Sequence, residues 1–330
     1  MINVLYQFNE KYAPYAGTSI VSLFEHSMDT EVHVFILGEE LSLDSLDRFQ
    51  ALAQKYGQKI EVINAVPVIE RVKAWGIPAY RGANSANLRL FIPFFLKEDV
   101  NRVLYLDADT IVNGSIISLY NMDMQDKVAA MALDSLGRIY KRVTLGFSET
   151  DLYFNSGVVL FNLLLWREKR CSERIITHVK SREWTYTSPD QDLLNVVCKG
   201  DILKLDAKYN FQPIHDVFRD RTYFACYGRE GYYTEEELAE SRAAVCIFHS
   251  LRFIGEFPWD ASSIHPYTSL FDHYLAKTPW NDYLKRYAKK THAMKIEKVL
   301  YRFLPRSIYL RLFVFFHNRY LQSRPEANNK

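Results

Sequence analysis

Val103-Leu104-Tyr105-Leu106-Asp107-Ala108-Asp109 is an apolar run closed by two carboxylates one residue apart. Val, Leu and Tyr suit a strand buried on both faces of a parallel sheet, whereas Asp does not continue one, so the strand is expected to stop at Asp107. In open α/β sheets ligands sit in the crevice beyond the carboxyl ends of the strands. Both acids would be delivered there, and alternation along an extended chain would send them to the same side. Two hard oxygen ligands with open positions left over suit Mg²⁺ or Mn²⁺ carrying a phosphorylated substrate.

Outward from this run, the amino side alternates strand-like and helix-like segments, the pattern of parallel strands joined by crossover helices. Ile2 to Gln7, Glu31 to Leu37 and Lys59 to Ala65 read as strands. Tyr15 to His26 and Ser42 to Tyr56 have helical spacing, with Ser42 as a cap, and Ser85 to Leu96 reads as a helix kinked or broken at Pro93. On the carboxyl side, Lys127 to Leu133 is a strand ending at Asp134, and Asn155 to Asn162 is an apolar run followed by a helix from Trp166 to Val179. Asp190 to Val197 is a helix whose acidic first turn agrees with the helix dipole, and His249 follows a strand from Ala243 to Phe248. The expected class is α/β, with a Rossmann-like, mostly parallel central sheet flanked by helices.

Composition is that of a folded globular protein. The 330 residues are 48% apolar and 24% charged, which excludes disorder for most of the chain. The 22 Tyr and 21 Phe supply stacking surface for a nucleobase or sugars as well as core packing. Cys171, Cys198, Cys226 and Cys246 form no C-x-x-C pair, so a reducing compartment is expected. Met1 to Phe8 has no basic n-region, and no uncharged apolar run reaches about 18 residues, so neither a secretion signal nor a membrane span is expected.

Six segments, in order, resemble the retaining GT-A glycosyltransferases of family 8, the group of glycogenin and of bacterial lipopolysaccharide galactosyl- and glucosyltransferases. They are Asn9 to Tyr15, Ser85 to Pro93, Tyr105 to Thr110, Phe154 to Val158, Asp190 to Asn195 and Lys208 to Pro213. The resemblance implies a UDP-sugar donor, UDP-galactose or UDP-glucose, and Mn²⁺ or Mg²⁺ on Asp107, Asp109 and His249. It puts Asn9 and Tyr12 on uracil and ribose, Ala108 between the metal-binding acids, and Arg89, Asp134, Asn155, Asp190 and Gln191 around the hexose. The chemistry asks for the same parts: a Lewis acid stabilises the departing diphosphate. The late H-x-x-G-x-x-K-P-W motif is stretched here, from His249 through Gly255 to Trp259, and its Lys is Phe257. Arg252 is the expected substitute, since a guanidinium binds phosphate in a fork.

Retention is expected by same-face substitution, because Gln191 is a poor nucleophile; Asp192 and Asp190 are the carboxylates that a covalent route would use. Other readings of these residues stay open at this point: Asp190 as a helix cap with Gln191 and Asp192 solvated, Asn155 as a turn cap, Arg89 as an exposed cation, Tyr12 as packing.

Residues 1–284 read as the GT-A domain and 285–330 as a basic amphipathic helical tail. The tail carries twelve Lys or Arg against two acids, a net +10 that leaves −8 on the rest. Apolar residues at helical spacing, broken by Pro305, suit an anionic bilayer surface; a basic face packed on the acidic body is the alternative. Nucleic acid is not an expected partner, since no recognition motif accompanies the charge. The expectation is a cytoplasmic bacterial enzyme, peripheral on the inner face of the cell membrane. It would transfer galactose or glucose to a glycan or glycolipid acceptor of lipopolysaccharide, capsule or another surface polymer. A glycogenin-like, protein-directed transferase and an inactive sugar-binding scaffold are the alternatives.

Overall fold

A computed structural model of the chain describes residues 1–77, 79, 85–181 and 186–323. Its strands are β1 (Ile2–Asn9), β2 (Val32–Glu39), β3 (Lys59–Asn64), β4 (Arg102–Leu106), β5 (Thr110–Val112), β6 (Ala129–Leu133), β7 (Phe154–Asn162), β8 (Ile202–Lys204) and β9 (Ile247–His249). In β4 the two-residue side-chain period sends Val103 and Tyr105 into one apolar layer and Leu104 and Leu106 into the other. Helices cover both layers, so the central strands are apolar throughout.

Seven strands form one sheet in the order β3-β2-β1-β4-β7-β6-β8, and β5 and β9 pair separately. All neighbours in the large sheet are parallel except β7, which runs antiparallel to β4 and β6. The chain winds from β1 outward to β3 and then returns to β4 on the other side of β1. That reversal is a topological switch point, and it opens a crevice at the carboxyl ends of β1 and β4. Asn9 and Asp107 stand at those two ends. Because β7 is antiparallel, its beginning lies at the same rim, and Asn155 and Ser156 join Asp134 there.

Several local expectations are corrected. The two acids are delivered by a turn, not by strand alternation: β4 stops at Leu106, and Thr110 N–H and Oγ1 both bond the Asp107 carbonyl, at 3.1 and 2.8 Å. Ser85–Phe94 is a 3-10 segment broken at Phe91, two residues before Pro93, not an α-helix. The expected helix from Trp166 to Val179 is two, Leu163–Glu168 and Cys171–Lys180, divided where Arg170 takes a φ of 51°. The strand before His249 is shorter than expected, because the helix Glu235–Ala243 occupies its beginning and His249 is itself the last strand residue.

Two helices, His292–Phe303 and Arg306–Ser323, flank Pro305. Tyr309, Leu310 and Val314 are buried in the same apolar layer as the central strands. Ile296, Val299, Phe303, Phe315 and Phe316 remain exposed. No helix among the described residues is long and apolar enough to cross a membrane.

Candidate functional site

Strand β5 begins directly after Asp109 and pairs antiparallel with β9, with Thr110 opposite His249. This short ladder carries the late histidine to the early acids. His249 Nε2 lies 3.3 Å from Asp109 Oδ1 and 3.7 Å from Asp107 Oδ2. One ligand atom from each of the three residues falls within 4.8 Å of the other two.

The histidine's other nitrogen is fixed. Asn210 Nδ2 donates to Asn155 Oδ1 at 2.9 Å, so Asn210 Oδ1 faces His249 Nδ1 at 2.8 Å and accepts its proton. Nε2 is thereby left as a lone pair pointing at two carboxylates. Three acceptors converging on one point require a proton or a cation between them, and this N/O donor set fits a divalent ion. Burial works against a charged imidazole, yet Asp109 and Asp107 overcome it and hold the His249 pKa above its ordinary value. Burial likewise pushes the Asp109 carboxyl up, and His249 first, with a backbone hydrogen bond and Arg89, more than reverses this.

Asp107 is oriented by its second oxygen. Oδ1 accepts from Tyr105 Oη at 2.6 Å and from Arg89 at 2.9 Å, which leaves Oδ2 toward the cluster. Arg89 is 5% exposed, not a surface cation. It also donates to the Ser156 carbonyl at 2.6 Å, lies 3.3 Å from Asp190 Oδ2, and covers the Tyr105 ring at 4.2 Å. The guanidinium thus ties the acid turn to the Pro189–Val197 helix. Asp190 makes no cap: it is buried, accepts from Ser156 Oγ at 3.2 Å, and burial raises its pKa despite Arg89.

Gln191 faces the same rim, donating to Asp134 Oδ2 at 3.3 Å and to Tyr153 Oη at 2.9 Å, while its carbonyl accepts the Ser156 N–H at 3.1 Å. Asp134 also accepts from Asn155 Nδ2 at 3.0 Å. Asn155 does cap a turn, through Gly157 N–H, and in addition links Asp134 to Asn210. Asp192 points elsewhere. It is fully buried, bonded to Lys141, to Tyr153 Oη at 2.7 Å and to the Ser188 N–H at 3.0 Å.

The turn after β1 meets the loop after β9 through rings. Tyr15 stacks on Trp259 at 4.0 Å, Trp259 on Phe257 at 4.6 Å, and Tyr12 meets Trp259 edge-on at 6.4 Å. Asn9 Oδ1 is buried with no hydrogen-bond partner among the described residues, a vacant acceptor at the switch point. A cavity of about 720 Å³ opens alongside, lined by Lys11, Tyr15, Arg252, Phe257 and Trp259 among others. Arg252 sits 5.6 Å over the Phe257 ring, above the position where the motif's Lys is missing. Ala108 is the buried link between the acids. Gly255 lies apart from the cluster, in a turn against Met294.

Ser156, Asn210 and Tyr105 bond the residues of this site and were not singled out from the sequence. Each lies inside a quoted motif, but only its contacts separate it from its neighbours.

The fold class is that of GT-A glycosyltransferases. Among solved structures, a galactosyltransferase LgtC bound to donor and acceptor sugar analogs superposes with a TM-score of 0.64 at 20% identity, covering 84% of this chain and 96% of that one. The WbbM bifunctional enzyme superposes with a TM-score of 0.68 at 19% identity, over 85% of this chain and 50% of that one.

The sequence profile described as Glycosyl transferase family 8 matches residues 3–251, and the chain belongs to that family. It is 26% identical to General stress protein A of Bacillus subtilis, over 83% of this chain and 92% of that protein. It is also 26% identical to a lipopolysaccharide 1,2-glucosyltransferase of Escherichia coli K12, over 87% and 81%. A lipopolysaccharide 1,3-galactosyltransferase of Salmonella typhimurium is 24% identical, over 84% and 79%.

Proposed function

We propose that this glycosyltransferase moves galactose or glucose from a UDP-sugar to a glycan or glycolipid acceptor of a bacterial surface polysaccharide, with retention of anomeric configuration. The observation that carries the reading is the convergence of Asp107, Asp109 and His249 Nε2, with Asn210 holding the opposite ring nitrogen. A divalent ion on these three residues supplies Lewis acidity toward the departing diphosphate. Asn9, with its vacant oxygen, and Tyr12 would meet the base, and the exposed Arg252 would meet phosphate.

The hexose would lie along Arg89, Asp134, Asn155, Asp190 and Gln191, which already form one hydrogen-bonded wall. In that wall Gln191 presents an amide, and Asp192 is spent on Lys141. On this reading substitution is same-face, with a diphosphate oxygen taking the acceptor's proton. The lipopolysaccharide enzymes among the relatives support a saccharide acceptor.

Residues 1–284 would do this chemistry. Residues 285–330, of which 324–330 lie outside the described residues, would rest on an anionic membrane through their basic charge and exposed apolar side chains. Incubating the protein with UDP-hexoses and Mn²⁺ tests the reading. Hydrolysis or transfer that disappears on EDTA treatment and in Asp109→Ala supports it, and the absence of both with every UDP-hexose rejects it.

A further inference from the structure

The loop between His249 and Trp259 contains a tight turn that its own sequence disfavours. Phe253 and Glu256 exchange backbone hydrogen bonds, N to O, at 2.9 and 3.0 Å. The two central residues, Ile254 and Gly255, have φ of 51° and 71°. Glycine accepts this readily. A β-branched residue there is an outlier that persists only where its surroundings hold it.

Those surroundings come from the C-terminal segment. The Glu256 side chain is 1% exposed, and its Oε1 is met by both Lys290 and Lys298, the latter at 2.7 Å. Its Oε2 accepts the Ile264 N–H at 2.9 Å. Burial pushes the Glu256 pKa up, but the two lysines together with the Ile264 N–H more than offset this and hold it below its ordinary value.

Around this ion triad the helix His292–Phe303 lies against the turn. A β-carbon on Gly255 would come 3.1 Å from Met294 Cγ, and Tyr301 meets Phe253 edge-on at 5.4 Å. Lys285 Nζ reaches the Pro258 carbonyl at 3.2 Å, and the Ala261 N–H bonds the Arg286 carbonyl at 3.0 Å. At its other end the loop is tied to the metal-binding turn, where Ser250 N–H donates to the Asp109 carbonyl at 2.9 Å.

We infer that Glu256, Lys290 and Lys298 form a clamp by which the helix His292–Phe303 and the residues just before it position the His249–Trp259 loop, so that nucleotide binding depends on the C-terminal segment. The inference rests on the donor reading for its nucleotide half only. Glu256 is a positioning residue, since it touches the loop backbone and the lysines but none of the cluster residues. The basic segment is then no detachable anchor: whatever displaces Lys290 and Lys298 releases the loop.

The test uses the full chain with Glu256→Gln, the milder Lys298→Met, and the exchange Glu256→Lys with Lys298→Glu. Hydrogen exchange at residues 250–259 is expected to quicken about tenfold in the first two. The UDP dissociation constant should rise about tenfold while Mn²⁺ affinity stays within about twofold, and the exchanged pair should regain at least half of both losses. Wild-type exchange and wild-type UDP affinity in folded Glu256→Gln and Lys298→Met would overturn the clamp, as would a lowered unfolding temperature with neither quantity moved. If the wild-type protein binds no UDP, the donor reading fails, and the exchange rates alone still decide the clamp.

Discussion

A β-carbon on Gly157 would lie 2.1 Å from Cε1 of the His249 imidazole and 2.6 Å from its Nδ1. The start of β7 therefore reserves, by lacking a side chain, the space in which the late histidine reaches the early acids. Gly157→Ala should push the ring off the cluster and weaken Mn²⁺ binding by about 10- to 100-fold, with β7 itself intact. Titrating free Mn²⁺ by electron paramagnetic resonance measures this, and wild-type affinity would remove His249 from the ligand set.

Asn210 reaches the same ring from the other side. Its Oδ1 fixes the proton on Nδ1 and so keeps Nε2 available. Asn210→Ala should lower Mn²⁺ affinity by about 10-fold or more, because the ring is then free to take the tautomer that carries its proton on Nε2. Asn210→Asp, which keeps an acceptor, should recover most of the loss.

Arg252 is expected to do the work of the missing lysine. Arg252→Ala should raise KM for the UDP-sugar by about tenfold with a smaller effect on kcat, the pattern of lost ground-state phosphate binding. Adding Phe257→Lys to that variant should restore affinity. A variant with unchanged KM and kcat would assign phosphate binding to another cation.

Asp192 and Lys141 form a buried pair, with side chains 0% and 8% exposed. Removing one partner strands the other, so Lys141→Met should cost about 3–5 kcal/mol of stability. The same geometry predicts that no hexosyl adduct accumulates on Asp192 when the protein is incubated with donor. Peptide mass spectrometry that found one on Asp192 or Asp190 would replace same-face substitution with a covalent route.

His265 links stability to pH. Burial pushes its pKa down to about 4, against the Leu251 carbonyl and the Asp109 and Glu256 carboxylates. As a neutral ring it bonds the Leu251 carbonyl at 3.0 Å and accepts the Tyr267 N–H at 3.1 Å. The unfolded chain protonates near pH 6.5 and the folded one only near 4, so this contribution is complete above about pH 6.5 and is lost as the pH falls toward 4. It amounts to roughly 3 kcal/mol. Denaturant unfolding should show wild type losing that much more than His265→Gln between pH 7 and 4.

Much of this protein is written locally. The apolar period of Val103 to Leu106 makes a strand with two buried faces, and an aspartate after it ends the strand at a sheet rim, wherever the rest of the chain goes. The alternation before it commits the chain to crossovers in a doubly wound sheet, and the strand order then puts the switch point between β1 and β4. The strand pattern could therefore name Asp107 and Asp109, and the family resemblance added His249, Arg89 and Asp190 as candidates one by one.

It could not say which of them meet. His249 joins the acids only through the pairing of β5 with β9 and the empty space at Gly157, both contacts between segments far apart in the chain. Asp190, Gln191 and Asp192 are consecutive, but a helix turns about 100° per residue, so they face Arg89, Asp134 and Lys141 respectively. The C-terminal charge left a membrane-facing and a body-packed reading both open, and only packing showed two of its lysines turned inward onto Glu256. Local periodicity fixes where a side chain leaves the backbone, whereas its partner is fixed by register and close approach between elements, which no single segment encodes.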